Sequence, residues 1–308
     1  MIAVREVADA FACFGGTCGA IVCGDAEARS AAEAVALVRR RLLAWHDRFT
    51  RFEPGSELSS VNRDPRPVVP VSATMALLAE AIRNAGERTG GLVDGTLVGA
   101  LDAAGYGRAA PRASLPLALA LRLAPRRRAA APDRAAGWRT LAVDRAGWAL
   151  HRPPGVLLDS GGLAKGLFAD LLADELGTHA SFAVDCAGDV RLGGTAGWAR
   201  PVAVASPVDG RTVHTFELAA GGVATSGIAR RAWLDARGRP THHILDPATG
   251  RPAFTGIVQA TALAPTALDA EVRAKAALLS GPAGAARWLA HGGVLVLDDG
   301  SHQVIPAG

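Results

Sequence analysis

Apolar side chains recur along residues 27–49 at the spacing of an amphipathic helix. Four of them, separated by four, three and four residues, lie on one helix face: Val38, Leu42, Trp45 and Phe49. Ser72 has the side chain of an N-cap and predicts a second helix that runs to about residue 89. A further helix is expected over residues 268–279, where Gly281 follows the last apolar position and ends it.

Short apolar runs between the helices predict strands. The first is expected over residues 11–24, broken by two adjacent glycines, and the others over 140–143, 148–151, 155–158, 181–185, 190–192, 201–205, 257–263 and 293–297. Residues 50–62 are polar and rich in turn-forming residues, which predicts a connection. Because strands and helices follow one another without a regular β-α-β alternation, we expect an α+β fold of mixed sheets with flanking helices.

The length of 308 residues allows a large core, in one domain or in two intimate lobes. We expect a single domain over residues 1–308. Within it, residues 108–137 are rich in Ala, Arg and Pro, and have helical periodicity only around residues 115–123. This composition predicts a variable surface excursion from the domain.

Charge and composition argue against nucleic-acid and membrane proteins. A nucleic-acid surface combines a basic stripe with aromatic side chains, whereas here a net charge of +4 accompanies only 5% aromatic residues. No apolar run reaches the length of a membrane span, and the N-terminus lacks the pattern of an export signal, so we expect a cytoplasmic protein. Cys13, Cys18, Cys23 and Cys186 match no metal or disulfide spacing and are expected to be buried thiols.

A glycine-rich motif occupies residues 159–166, with the sequence Asp-Ser-Gly-Gly-Leu-Ala-Lys-Gly. It follows the strand predicted at 155–158 and precedes a helix predicted over 167–176. Glycines let the backbone approach a ligand, and the N–H groups of a helix N-terminus favour phosphate. Lys165, one of only two lysines in the chain, would add a positive charge. The motif predicts an anion site; the alternative is a tight turn with a solvated lysine.

His243 and Asp246 form a second candidate site, because a histidine accepts a proton near neutral pH and a carboxylate can fix its tautomer. They lie three residues apart, ahead of a turn that contains Pro247 and Gly250, so both side chains could face one site. The alternative is that Asp246 forms an Asx turn and His243 belongs to the core. Asp94, in a separate glycine loop, suits either a ligand contact or the cap of the next helix.

The order of these motifs resembles the signature set of the ApbE family, the FAD:protein FMN transferases. Three segments carry the resemblance, the motif at 159–166, Val-Ala-Thr-Ser-Gly at 223–227 and His-His-Ile-Leu-Asp-Pro-Ala-Thr-Gly at 242–250. Weaker matches to family segments lie at Gly16 and Thr17 (Met-Gly-Thr), 52–62 (Tyr-x-x-x-Ser-x-Leu/Ile-x-x-x-Asn), 91–96 (Gly-Gly-x-Phe-Asp-Pro-Thr) and 264–276 (the Ala-Pro-Thr-Ala helix). The resemblance implies an ApbE-like, T-fold-related fold.

The resemblance also implies an activity, in which the FMN half of FAD moves to a Thr or Ser hydroxyl of an acceptor protein, AMP leaves and Mg²⁺ assists. Such chemistry neutralises a pyrophosphate and deprotonates a weak alcohol. By resemblance, His243 is the base, Asp246 orients it and Lys165 holds phosphate charge. The residues implied to bind FAD are Thr17, Phe52, Asp94, Asp159, Gly161, Gly162, Ser226, Gly227, Arg230 and His243. Arg230 and its neighbour Arg231, after an expected turn at 225–227, could both contact the pyrophosphate; the alternative is a solvated arginine pair.

The metal site of the family falls on Ala164, through its carbonyl, and on Glu271 and Lys275. Glu271 can bind Mg²⁺, but an ammonium is not a ligand, so Lys275 is not expected to bind the ion. A surface ion pair between these two residues, four apart on one helix, is the plain alternative. A third interpretation is that Lys275 replaces part of the metal's charge. Gly15 and Phe52 also depart from the family, which has Met and Tyr there.

Two other functions are compatible with the same motifs. Water in place of the hydroxyl would make the protein an FAD pyrophosphatase that forms FMN and AMP. A lysine in the metal helix also fits a protein that binds FAD without catalysis.

Overall fold

The computed structural model describes residues 6–107 and 114–308, and its helices agree with most of the predicted ones. The α-helices of this part are α1 (Ala31–Phe49), α2 (Glu57–Arg63), α3 (Ala73–Arg88), α4 (Val98–Ala103), α5 (Leu117–Leu123), α6 (Ala164–Leu176) and α7 (Ala267–Ala285). A positive φ of 68° at Gly281 interrupts α7, where the sequence predicts its end.

The strands form one large sheet and four small ones. They are β1 (Glu6–Cys13), β2 (Gly16–Cys23), β3 (Val68–Pro70), β4 (Ala142–Asp144), β5 (Ala149–His151), β6 (Ser181–Cys186), β7 (Asp189–Gly193), β8 (Arg200–Ala205), β9 (Thr212–Leu218), β10 (Gly221–Gly227), β11 (Ala232–Leu234), β12 (Pro240–His242), β13 (Leu245–Asp246), β14 (Arg251–Pro252), β15 (Ile257–Ala264), β16 (His291–Leu297) and β17 (His302–Ala307).

The large sheet has eight strands in the order β1-β2-β6-β7-β10-β15-β16-β17. Every neighbouring pair in it is antiparallel. Helices α1, α6 and α7 pack along it in turn, α1 on β1 and β2, α6 on β6 and β7, and α7 on β10 and β15. Antiparallel strands with segregated helices define an α+β fold, as predicted.

Two large apolar clusters lie between these layers. One joins α1, α3 and α6 to the first half of the sheet and contains the fully buried Phe168 and Leu42. The other joins α7 to β15 and β16 and contains Leu278 and Val296. The site described below lies where loops from both clusters meet.

Side-chain caps fix where α1 and α3 begin, and α1 begins at Ala31, after the predicted start at residue 27. Ser30 and Glu33 form a reciprocal capping box at the start of α1. The Ser72 hydroxyl accepts a hydrogen bond from the Met75 N–H, which confirms it as the cap of α3.

In the described part of the chain no helix combines the length and the apolar character needed to cross a bilayer.

Four predicted elements are wrong. Residues 11–24 form a hairpin of two strands, because Gly15 takes a φ of 71° at the turn. The connection predicted at 50–62 contains most of α2. The turn predicted at 225–227 is the end of β10, which pairs with β15. Residues 155–158 are not a strand, because the Asn62 side chain takes both backbone groups of Leu158. Its amide nitrogen donates to the Leu158 carbonyl and its amide oxygen accepts from the Leu158 N–H, each at 2.8 Å.

The surface excursion predicted at 108–137 lies partly outside the described residues, which omit 108–113. The remainder contains α5 and passes over the second cluster. Its backbone there forms hydrogen bonds from the Arg128 N–H to the Phe254 carbonyl and from the Ala130 N–H to the Leu279 carbonyl.

All four cysteines lie in the described part, where they are buried and form no disulfide, as predicted.

Candidate functional site

A cavity opens where the glycine motif, the loop after α3 and the segment between β12 and β13 meet. The space amounts to about 690 Å³ when the open solvent at its mouth is included. Its floor is apolar and includes Leu92, Leu101 and Leu279. The polar groups on its wall are Asp94, Tyr106, Asp159, Arg231, His243 and Lys275, together with the backbone of Gly161 and Gly162.

The start of the glycine motif is held by hydrogen bonds from three other parts of the chain. The Asp159 N–H donates to the Gly95 carbonyl at 2.8 Å. The Ser160 hydroxyl donates to the Phe49 carbonyl, at the end of α1, at 2.7 Å. With Asn62 fixing Leu158, these contacts hold Gly161 and Gly162 at the cavity wall.

Asp159 is a carboxylate placed next to a buried arginine. Its Oδ1 lies 3.3 Å from Nε of Arg51, whose side chain is only 7% exposed. Burial raises the pKa of Asp159, and the Arg51 charge opposes that increase. Arg51 also donates to Asp102 at 2.7 Å and to the Tyr106 carbonyl, so it ties the glycine motif to the end of α4. Arg51 was not among the residues predicted from the sequence.

Tyr106, the only tyrosine in the chain, is the second residue that the sequence analysis missed. Its ring stacks on Trp233 at 5.5 Å with an interplanar angle of 17°. Phe52, predicted to bind FAD, is absent from the cavity wall and meets the Tyr106 ring edge-on at 5.7 Å. The aromatic ring that lines the cavity is therefore Tyr106, with Phe52 behind it.

Arg231 reaches the cavity from the loop after β10. Its Nη2 donates to the Phe14 carbonyl at 3.1 Å and lies 3.1 Å from the point where a Cβ on Gly15 would be. A larger residue at position 15, where the family has Met, would meet this guanidinium. Of the two arginines considered for the pyrophosphate, Arg231 lines the cavity and Arg230, which was also predicted to bind FAD, does not.

His243 lies on the cavity wall as a half-buried imidazole. Burial lowers its pKa well below 6.5, and the nearby Arg231 charge lowers it further. Its Nδ1 is buried and has no hydrogen-bond partner in the described protein. Asp94 presents a second such atom, because Oδ1 accepts from the Thr96 N–H and hydroxyl while the buried Oδ2 has no partner among the residues that the structure describes. Two unpaired buried polar atoms on one cavity wall are typical of a ligand site.

Asp246 does not orient His243. Its Oδ1 accepts from the Ala131 N–H at 2.9 Å, and its Oδ2 accepts from the Thr249 hydroxyl at 2.9 Å. Its Oδ1 also accepts the Ala248 N–H at 3.3 Å, so the segment is the Asx-type turn given as the alternative. No hydrogen bond joins Asp246 to His243 in the described structure. The predicted pairing is wrong because the carboxylate is used to build its own turn.

Lys165 also differs from its predicted position. Its ammonium is paired with Asp189, lies 3.9 Å from Oε1 of Glu271 and does not line the cavity. Burial opposes the lysine charge, but the Asp189 and Glu271 carboxylates outweigh it and raise the pKa of Lys165. The Gly166 N–H, in the first turn of α6, donates to Oε2 of Glu271 at 2.9 Å. The protein's own carboxylate thus occupies the helix end predicted to bind phosphate.

Glu271 and Lys275 do not form the surface ion pair that was one alternative. Glu271 is 2% exposed, and burial raises its pKa to about 7, with the Asp189 charge adding to the effect. Lys275 is half-buried, and its ammonium donates to the Gly162 carbonyl at 3.0 Å instead of to Glu271. The two side chains diverge from α7, one into the protein and the other to the cavity wall.

The remaining predicted residues lie outside the cavity wall. Thr17 pairs with Ala12 in the β1–β2 hairpin, and Ser226 and Gly227 pair with β15. Ala164 is the first residue of α6. The cavity therefore brings together Asp94, Asp159, Gly161, Gly162 and His243 of the predicted set.

The side chains at the family's metal positions do not fit Mg²⁺. The ion requires about six oxygen ligands in octahedral geometry. Glu271 already binds the Gly166 N–H and faces Lys165, and Lys275 brings an ammonium instead of an oxygen. Among the described residues, no group of three or more His, Cys, Asp or Glu side chains could hold a metal ion.

The family model of the ApbE family matches residues 15–297. The chain belongs to the ApbE family. An FAD:protein FMN transferase of Salmonella typhimurium is 27% identical over 210 residues, which are 66% of this chain and 58% of that protein. One from Vibrio cholerae is 29% identical over 253 residues, 79% of this chain and 72% of that protein. The chain thus matches less than two thirds of the Salmonella relative's length.

Solved structures of ApbE proteins have the same fold. The ApbE protein of Thermotoga maritima superposes with a TM-score of 0.79 at 22% identity and covers 97% of both chains. The apo flavinyl transferase ApbE of Pseudomonas stutzeri gives a TM-score of 0.76 at 21% identity, over 99% of this chain and 98% of that one. These structures confirm the expected ApbE-like fold.

Proposed function

We propose that this protein is an FAD:protein FMN transferase that acts in the cavity lined by His243. The observation that carries the proposal is the neutral imidazole with an unpartnered Nδ1, beside two cationic side chains, in a chain of the ApbE family. A neutral imidazole can accept a proton, and the Arg231 and Lys275 cations suit a pyrophosphate. The relatives named FAD:protein FMN transferase support the same substrate.

The proposed reaction is attack of an acceptor hydroxyl on the phosphorus of the FMN half. A bond forms between the hydroxyl oxygen and this phosphorus, and the bond from phosphorus to the bridging pyrophosphate oxygen breaks. AMP leaves with that oxygen, and the hydroxyl proton passes to His243. Arg231 and Lys275 stabilise the negative charge that develops on the phosphate oxygens. The acceptor is a Thr or Ser of another protein.

Asp94 and Tyr106 are the residues proposed to hold the organic parts of FAD. The free Oδ2 of Asp94 can accept a hydrogen bond from an amine or hydroxyl of the ligand. Tyr106 offers an aromatic surface, stiffened by the Trp233 ring behind it, for a planar heterocycle.

Release of AMP measured with and without an acceptor tests this proposal. The purified protein is incubated with FAD and a domain that carries a Thr flavinylation motif, and AMP is quantified by chromatography. We expect AMP to form only with the acceptor present, in step with a flavin-fluorescent acceptor band on a denaturing gel. AMP released at the same rate without acceptor would indicate a pyrophosphatase, and bound FAD without AMP would indicate a binding protein.

A further inference from the structure

The two lysines of this chain are in opposite electrostatic situations. Lys165 is neutralised by Asp189 inside the protein. Lys275 lines the cavity, and within the described residues no carboxylate oxygen lies within 4.0 Å of its ammonium. Its charge is therefore available to a ligand.

The ammonium of Lys275 is fixed in place by the glycine motif. One of its three N–H donors binds the Gly162 carbonyl at 3.0 Å. Its Cε would be 3.2 Å from a Cβ on Gly162, so the lysine stem packs directly on the glycine backbone. Two donors stay available on the side of the cavity where Asp159, Gly161 and His243 also lie.

The same residue stands where a metal-binding side chain is expected in the family, and the side chains around it do not provide a divalent ion with ligands. We propose that the Lys275 ammonium replaces the divalent cation, so that this protein binds the pyrophosphate of FAD without Mg²⁺. The inference rests on the proposed use of FAD and adds that binding is independent of divalent ions.

FAD titrations followed by flavin fluorescence test the inference, each in EDTA and in excess Mg²⁺. The wild-type Kd is expected to be the same in both buffers. Lys275→Met removes a charge-assisted contact and is expected to weaken binding about tenfold or more in both buffers. Lys275→Thr places a neutral hydroxyl at the same position, and because the surrounding side chains provide no further ligands for Mg²⁺, its binding is expected to be as weak as that of Lys275→Met in both buffers.

Arg273→Met is the matched control, since Arg273 lies on the same helix, pairs with Asp269 and does not line the cavity. It removes one positive charge from α7 and is expected to leave the FAD Kd unchanged. Circular dichroism of each variant checks that the fold is retained. Electron paramagnetic resonance of Mn²⁺ measures metal binding without turnover. The wild-type protein with FAD is expected to bind no more Mn²⁺ than the same concentration of FAD binds without protein.

Loss of wild-type FAD affinity in EDTA with recovery in Mg²⁺ would overturn the inference while leaving the proposed function in place. Wild-type affinity in Lys275→Met would do the same. A wild-type protein that binds no FAD in either buffer would overturn both the proposed function and this inference.

Discussion

At the scale of single residues, the central group is His243. The sequence predicts it from its motif, and the cavity places it beside Arg231 and Tyr106. Asp94, Asp159, Gly161 and Gly162 are predicted for the same reason, because each belongs to a short motif with a local backbone conformation. Arg51 and Tyr106 have no local signal, since contacts with residues far along the chain place them.

The pH dependence of turnover follows from the environment of His243. A base must be neutral, and a pKa well below 6.5 keeps this imidazole neutral through the neutral range. Activity is therefore expected to hold as pH falls to 6.5 and to decline only at lower pH. The pH profile of kcat/KM measures this decline at acidic pH, the acidic limb of the profile. An acidic limb centred at or above pH 6.5 would contradict the assignment.

His243→Asn tests the same residue by substitution. We expect the rate of AMP release to fall about 10²–10⁴-fold, the usual contribution of a general base. FAD affinity should stay near the wild-type value, since the neutral imidazole carries no charge for the pyrophosphate. A loss of FAD affinity without a loss of maximal rate would show that His243 binds FAD and does not take the proton.

The environment of His242, the neighbour of His243, leads to a prediction about how stability depends on pH. Its ring is buried against Phe254, and burial lowers its pKa to about 3. The unfolded chain binds a proton near pH 6.5 and the native protein does not, so this group's contribution to stability is lost as pH falls from about 6.5 to about 3. The advantage of the wild type over His242→Gln in free energy of unfolding should shrink by up to about 1.4 kcal/mol per pH unit in this interval. Urea unfolding at several pH values measures it, and a gap that is constant with pH would contradict the prediction.

At the scale of elements, the crossing of α6 and α7 positions the cavity. Asp170 on α6 accepts the N–H groups of Ala267 and Leu268, at 2.8 and 2.9 Å, and so caps α7. Both helices are predicted from the apolar pattern. Their close approach is not predictable, because it depends on which glycine of a glycine-rich motif meets the partner helix.

Gly166→Ala tests that approach. A Cβ there would lie 2.6 Å from the Ala267 carbonyl oxygen and 2.7 Å from the Leu268 Cα, so the helices must separate. We expect a loss of about 1–3 kcal/mol in free energy of unfolding. Gly99→Ala is the control, since α4 has open space at that position and alanine favours helix by about 1 kcal/mol. Equal stability of the two variants would contradict the packing argument.

Three of the wrong predictions, those for residues 155–158, Lys165 and Glu271, have a shared cause. Residues 155–158 have the apolar pattern of a strand, but the amide of Asn62 takes the hydrogen bonds that a neighbouring strand would otherwise make. Lys165 and Glu271 were assigned to phosphate and metal, but they meet Asp189 and the Gly166 N–H. In each case a distant side chain satisfies a group that the local pattern leaves unpaired.

At the scale of the whole molecule, the four cysteines lie on neighbouring strands of the large antiparallel sheet and are buried there. Cys18 and Cys186 lie opposite each other on β2 and β6 and are at most 1% exposed, and burial raises the pKa of Cys186 well above its ordinary value. A thiol-reactive dye is therefore expected to label the four cysteines together on unfolding and only slowly before it. Rapid labelling of the native protein, followed by mass spectrometry, would contradict the described packing.

The fold class is predictable from the irregular order of strands and helices, and the family from its motifs. The cavity is not predictable from the sequence, because it forms where loops of two separate apolar clusters meet.

The most direct test of the account is the intact mass of an acceptor domain after incubation with the protein and FAD. We expect its mass to increase by one FMN less one water, with the label on a Thr or Ser hydroxyl. No increase is expected when that residue is replaced by Val, and with His243→Asn as the enzyme the increase is expected to be about 10²–10⁴-fold slower. An acceptor of unchanged mass, in the presence of bound FAD and a motif that related enzymes modify, would contradict the proposed transfer.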